Sequence, residues 1–324
     1  MPHAFQRTLV FVIALGTIMT AANALAQSWP SKGVRIVVPF GAGGGTDIQG
    51  RLLGKKFYES MGQTFVVDNR SGVAGLTGAD IVAKAPPDGY TLLFTTASLA
   101  VNVSLYKNLP FDPAKDLVPV SLVSSAPLVL VVHPNVPARN VRDLIALAKR
   151  SAVRMNVASN GSGTTSHLAL EMLRQMARVE VAHIPYKGSG PSIIALLSGE
   201  VDFHFGNALA VQPFIKQGKV RPLAVTTRKR SSAFPDLPTM DSIHPGFESD
   251  NWYAMFLPAG TPKEIVSKLN AEILKALKAP DLREFITKEG GDLVGSSPEE
   301  LAKYFQREVA KYAKLIKAGN ITVQ

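Results

Sequence analysis

The alternation of apolar and polar positions divides the chain into two successive runs of strand-like and helix-like segments. The first predicts a strand over 34–39, a helix over 47–61, a strand over 64–68, a helix over 76–83 and a strand over 90–95 after the turn Pro86-Pro87-Asp88-Gly89. The second predicts a helix over 141–150, a strand over 154–158, a helix over 165–177 and a strand over 181–186, then a helix over 191–198, a strand over 201–205, a helix over 208–216 and a strand over 220–226. Strands that read as apolar runs between helices predict α/β architecture with parallel sheets covered on both faces.

Two segments break the rhythm. Residues 117–132 form a long apolar run interrupted by Pro119 and Pro127, suited to a strand that crosses from one lobe to another, and Trp252–Leu257 resembles a second crossing. Between the second run and that crossing, Arg228–Asp250 carries proline, glycine and serine without periodicity and reads as linker and loop. Thr261-Pro262-Lys263-Glu264 and Ser297-Pro298-Glu299-Glu300 both carry the spacing of a capping box with proline at the first helical position. Two crossings make the first lobe discontinuous: lobe 1 is expected over 27–122 and 250–324, lobe 2 over 123–249, joined by a hinge that can close on a ligand.

The candidate chemistry sits in two glycine-rich loops. Phe40-Gly41-Ala42-Gly43-Gly44-Gly45-Thr46-Asp47 joins a strand to a helix, and Ser159-Asn160-Gly161-Ser162-Gly163-Thr164 does the same in the second run. Glycines let backbone approach a ligand, and the unpaired N–H groups of a first helical turn attract anions. Neither loop belongs to a nucleotide site: the first lacks the P-loop lysine and has Thr46 where a dinucleotide fingerprint needs its third glycine. Ser162 has Asn160 and Thr164 two residues either side, which excludes a nucleophile elbow. Asp47 reads as a first-turn capping residue and His167 as a structural hydrogen-bonder under the second loop. Thr96, Ser98 and Asn207 stand near strand ends, where open α/β sheets bind ligands. Asp202 reads either as a ligand-facing acid or as a capping partner. Phe40, Leu99, Tyr186 and Phe205 suit an aromatic ring's wall and the core equally.

Composition narrows the function. Arg7, an apolar run over 9–22 and Ala24-Leu25-Ala26 form a secretory signal peptide over 1–26 with cleavage expected after Ala26, so the mature chain is expected in a bacterial periplasm. Removing that segment takes away Arg7 and no acid, so the formal charge of +10 becomes +9. The basic residues are scattered, which favours a small anion over nucleic acid. Cysteine is absent and the remaining histidines lack ligand spacing, so neither disulfide nor metal, cofactor or catalytic constellation emerges.

Several ordered blocks resemble the periplasmic solute-binding proteins of tripartite tricarboxylate transporters, the Bug family. They include 34–47, Val67-Asp68-Asn69-Arg70-Ser71-Gly72, Pro87-Asp88-Gly89-Tyr90, Phe111-Asp112-Pro113, His183-Ile184-Pro185-Tyr186-Lys187-Gly188 and Pro258-Ala259-Gly260-Thr261-Pro262. The resemblance implies a two-lobed type 2 periplasmic binding protein, or Venus flytrap, fold with two crossing strands. It implies a monomeric receptor without catalytic activity that hands a small carboxylate to the large and small integral-membrane subunits of a permease. The ligand would then lie at Phe40, Gly41, Gly43, Gly44, Thr46, Asp47, Ser159, Asn160, Ser162, Gly163 and Thr164, flanked by Thr96, Ser98 and Asn207. Asn207 stands where the family often has aspartate, which favours a purely anionic or aromatic acid over one bearing an ammonium group. Rival readings are a ligand sensor serving a membrane kinase and a secreted hydrolase.

Overall fold

The two runs of alternation build two separate sheets in the computed structural model, which describes residues 29–322 apart from Lys107, Glu289 and Asn320. The signal segment lies outside the described residues. The first run supplies β1 (Val34–Val38), α1 (Gly45–Met61), β2 (Phe65–Asn69), a 3₁₀ turn (Val73–Gly75), α2 (Leu76–Ala83), β3 (Thr91–Thr96), α3 (Ser98–Leu105), the single turn α4 (Pro113–Asp116) and β4 (Leu117–Ala126). After Pro127 come β5 (Leu128–Val132), α5 (Val141–Arg150), β6 (Met155–Ser159), α6 (Thr165–Ala177), β7 (Val181–Pro185), α7 (Ser189–Ser198), β8 (Phe203–Asn207), α8 (Ala208–Lys216) and β9 (Arg221–Val225). The chain returns through β10 (Asn251–Pro258) and ends with α9 (Lys263–Ala276), α10 (Pro280–Lys288), β11 (Asp292–Leu293) and α11 (Pro298–Gly319).

The six-stranded sheet runs β11-β4-β10-β3-β1-β2 and the five-stranded one β7-β6-β8-β5-β9. β1 is parallel to β2 and β3, whereas β10 is antiparallel to β3 and β4, so the sheets are mixed rather than wholly parallel as expected. The antiparallel members are β10 and β11 in the first sheet, after the chain has returned, and β5 in the second, where the chain first enters it. Both faces of each sheet are covered, which is why the strands read as apolar runs. On the first sheet, Leu53, Phe57, Leu269 and Ile286 pack on one side and Leu76, Val101, Phe305 and Tyr312 on the other. On the second, Leu144, Ala169 and Leu173 face Ile193, Leu196 and Val211 across the strands.

Three expectations are corrected. The strand expected over 201–205 lies two residues later, so Asn207 ends the strand instead of following it, and Asp202 precedes it; the Asp202 carboxylate accepts the Asn156 N–H at 2.7 Å and is structural. Thr261 does not cap α9: its hydroxyl donates to the Pro258 carbonyl at 2.7 Å, and Pro262 takes the cap position. Helix α3 was not anticipated because its residues, SLAVNVSL, are buried nearly all round and carry no amphipathic period. The second capping box does form: Glu300 N–H donates to Ser297 Oγ at 3.1 Å, and Ser297 N–H donates to the Glu300 carboxylate at 2.8 Å.

Where the chain changes sheets, polar side chains tie the crossing segments. Thr226 Oγ1 accepts the Leu128 N–H at 2.9 Å and donates to the Ser249 carbonyl at 2.8 Å. Ser249 Oγ in turn donates to the Thr165 carbonyl at 3.3 Å, which links the crossing to the first residue of α6. Beside it, Asp250 has a carboxyl raised to about 7, by burial first; Lys311 opposes the shift while Glu248, Glu308 and Asp292 add to it. The long α11 spans both sheets' cores: Ile316 joins the first, and Leu315 packs against the first and second.

Candidate functional site

The first loop leaves β1 and enters α1 around a single acid. Gly43 has φ +81°, a left-handed conformation that favours glycine, and its N–H donates to Asp47 Oδ2 at 2.9 Å. Arg51 Nε donates to the same oxygen at 3.1 Å, and its terminal nitrogen lies 2.9 Å from Oδ1. Arg51 also donates to Asn69 Oδ1 at 3.1 Å, and Asn69 Nδ2 donates to the Phe40 carbonyl at 3.0 Å, which closes a ring around the loop. Burial alone would raise the Asp47 carboxyl, but hydrogen bonds from Arg51, the Gly43 N–H and Asn69 outweigh it and hold it below the usual range. Asp47 is therefore committed inward.

What this ring leaves open is backbone. Gly44 caps α1 with no side-chain hydrogen bond, so the first-turn amides remain for a ligand. A Cβ added at Gly41 or Gly43 would meet nothing within 4 Å, so there is room above the loop. Thr46, by contrast, is buried beneath it.

The second loop is held without a formal charge in contact with it. Ser159, at the end of β6, has its Oγ 2.6 Å from His183 Nε2 and accepts the Gly161 N–H at 3.2 Å. The Gly163 N–H donates to His167 Nδ1 at 3.2 Å, so the ring's own proton is on Nε2, which faces Glu171 at 3.8 Å. Thr164 caps α6, accepting the His167 N–H at 3.4 Å while donating to the Gly161 carbonyl at 2.7 Å. The rings of His167 and His183 stack 4.2 Å apart. Burial first, then repulsion from the other imidazole when protonated and from Arg174, lowers His167 to about 3, and burial with Arg174 lowers His183 to about 4. His204, fully buried against the Ala158 carbonyl at 2.9 Å, is lowered to about 4 by burial. All three imidazoles are neutral at neutral pH. The Ser159–His183 pair is a brace: Ser159 is fully buried and its oxygen already accepts a loop amide.

A third helix start was missed. Helix α7 begins at Ser189 rather than Pro191, capped by Gly188 with no side-chain hydrogen bond. Asn207 Nδ2 donates to Ser189 Oγ at 3.3 Å, and Asn160 joins the same rim, its carbonyl accepting the Gly188 N–H at 3.1 Å and its Oδ1 the Ser192 hydroxyl at 2.8 Å. The run Gly188-Ser189-Gly190-Pro191, small residues before a first-turn proline, is the signal that could have marked it. On the other sheet, Thr96 ends β3 and its Oγ1 accepts the Ser98 N–H at 3.4 Å; both residues are buried. Ser162 is half-buried on the second loop. Leu99 and Phe205 belong to the core, while Phe40 and Tyr186 are both half-buried, Tyr186 with its hydroxyl donated to Glu200 at 2.7 Å.

All these groups stand at the C-terminal ends of β1, β2, β3, β6, β7 and β8, and the two sheets meet there. Gly163 has φ +80°, and a Cβ on it would lie 3.0 Å from Leu105, 3.2 Å from Asn102 Oδ1 and 3.4 Å from the Ala74 methyl. A Cβ on Gly75, next to Ala74, would lie 3.2 Å from the Phe40 ring. The turn Gly72–Gly75 thus bridges the two loops.

Residues 50–321 match the model of the tripartite tricarboxylate transporter family receptor. The chain is 36% identical over 311 residues to protein BugT of Bordetella pertussis, covering 95% of each chain. Among solved structures it resembles R. palustris Rpa4515 with adipate (TM-score 0.85, 37% identity, 91% of this chain and 99% of that one). It also resembles MatC from Rhodopseudomonas palustris with bound malate (TM-score 0.82, 31% identity, 89% of this chain and 100% of that one).

Proposed function

The chain belongs to the tripartite tricarboxylate transporter receptor family, two-lobed periplasmic solute-binding proteins rather than enzymes, and we propose that it captures a small dicarboxylate between its lobes and delivers it to a permease. One observation carries this reading: helix starts from two different sheets, each without a side-chain cap or braced from beneath, converge where Gly163 meets Ala74. The backbone of Phe40, Gly41, Gly44 and Thr46 holds one carboxylate, with Asp47, which takes the Gly43 N–H, as the inward brace. Asn160, Ser162 and Thr164, with Ser189 and Asn207, hold the other end, while Ser159, Thr96 and Ser98 support the rim; Gly163, whose N–H is taken by His167, serves as the contact between lobes and not as a donor to the ligand. The lobes divide at Pro127, between β4 of the first sheet and β5 of the second, rather than at 122, where the division would cut through β4, and again on the return just before β10 at Asn251.

Each amide bond to a charged oxygen contributes about 1.5–3 kcal/mol once closure excludes water. Several of them, offset by association costs, correspond to micromolar binding at about −8 kcal/mol. The adipate and malate of the two structural neighbours support this ligand class. Titration calorimetry with adipate and malate, and with the diamides of both as uncharged controls, tests it: carboxylates bind and diamides do not. Equal binding of both, or binding of sugars alone, refutes it. The permease partnership is tested by loss of carboxylate uptake when the gene is deleted, and cleavage after Ala26 by the mass of the exported protein.

A further inference from the structure

We propose that Asn102 is a positioning residue for lobe closure: it holds the turn Gly72–Gly75 in the shape that seats against Gly163, and so sets how long the cleft stays shut on its ligand. The inference rests on the reading of the cleft as a closing carboxylate site. Val73 and Ala74 are consecutive residues with φ +45° and +51°, a left-handed pair that a β-branched side chain and a methyl do not adopt unaided. Gly75 N–H bonds to the Gly72 carbonyl at 2.9 Å and Thr77 N–H at 3.4 Å, which closes the turn without fixing its outer edge. That edge is fixed from α3, where Asn102 Nδ2 donates to the Ala74 carbonyl at 3.0 Å.

The amide of Asn102 is 1% exposed, and donation to Ala74 settles which end is nitrogen, so Oδ1 points at the Gly163 side. Oδ1 is buried without a hydrogen-bond partner among the described residues. Gly163 cannot supply one, because its N–H is used by His167. The contact between lobes is therefore one of shape: the fit depends on where the turn is held, and Asn102 is the side chain that holds it.

Two experiments decide the point. The sequence has no cysteine, so Ala74→Cys with Gly163→Cys reports the contact directly; the two Cβ atoms would lie 3.4 Å apart, a tenth or so below the disulfide range of about 3.5–4.5 Å. Mild oxidation with adipate present is expected to form an intramolecular disulfide, and its failure to form in a double variant that still binds adipate overturns the proposal. Asn102→Leu keeps the branching and heavy-atom count, with somewhat larger terminal groups, and removes the donor. It is expected to speed hydrogen exchange at Gly75 and Thr77, and dissociation of adipate, by roughly tenfold, the weight of one hydrogen bond, with association unchanged. Unchanged exchange at that turn overturns the proposal, as does faster exchange spread over the whole first sheet, which would make Asn102 a packing residue. If the unmodified chain binds neither adipate nor malate, the carboxylate reading falls, while exchange at that turn still decides the role of Asn102.

Discussion

The Phe40–Asp47 loop is held by charge and the Ser159–Thr164 loop by neutral imidazoles. In the first, one carboxylate accepts from a loop amide and is paired to Arg51, whose side chain is half exposed at 53%. In the second, the equivalent amide at Gly163 is accepted by a buried histidine that stacks on another. Both arrangements free first-turn backbone for an anion, yet they differ in what they place nearby. A carboxylate under the first loop brings its own cation, whereas uncharged rings under the second leave the field of α6 unopposed. The consequence is that acid attacks one loop long before the other.

The largest expected effect breaks that comparison by pH. The histidines are shifted down from 6.5 to about 3 for His167 and about 4 for His183 and His204, so the unfolded chain takes up protons first. Their stabilising contribution is complete above about pH 6.5 and is lost as pH falls toward 4. Each of the three contributes about 2 kcal/mol of loss by pH 5, about 6 kcal/mol together, and Asp250 offsets about 2 of it, so urea unfolding at pH 5 should show a chain on the order of 4 kcal/mol less stable than at pH 7. Asp250, raised to about 7, works in the opposite direction over the same window, because the folded state keeps its proton; Asp250→Asn should steepen the acid loss. Asp47 is shifted down from 3.8, so its contribution persists above that value and disappears only below it.

Next in size is Gly163→Val. A branched side chain at φ +80° is strained, and its Cβ would press on Leu105, Asn102 and Ala74. Adipate affinity should fall about a hundredfold, near 3 kcal/mol, measured by calorimetry. Asp47→Asn should cost about 1–2 kcal/mol in urea unfolding at pH 7, since the buried acceptor loses its charge and Arg51 its partner. The smallest change is Gly41→Ala, where a methyl meets nothing within 4 Å. Stability should move by less than about 0.5 kcal/mol, and any larger loss in adipate affinity would show that the ligand occupies that space.

Much of this could be read from the residues. Helices α2, α5, α6 and α8 have the bounds that periodicity predicts, because each has a capping residue or a clear apolar face. Both glycine loops were legible because glycine at a strand end has few other uses. Helix α3 was not, since a segment buried on nearly every side has no polar phase to read. Ser189 was missed because the start of α7 was placed at its proline.

The sequence by itself determined two runs of strand and helix, two crossings and two anion-competent loops, since those follow from local periodicity and backbone freedom. Which loop amides stay free was decided by tertiary structure: Arg51 reaches Asp47 from the next turn of the same helix, but Asn69 closes the ring from β2 and His183 stacks on His167 from β7. The meeting of Gly163 with Ala74 and Asn102 was decided there as well. Their separation along the chain carries no signal, and only the packing of one lobe against the other brings them to one point.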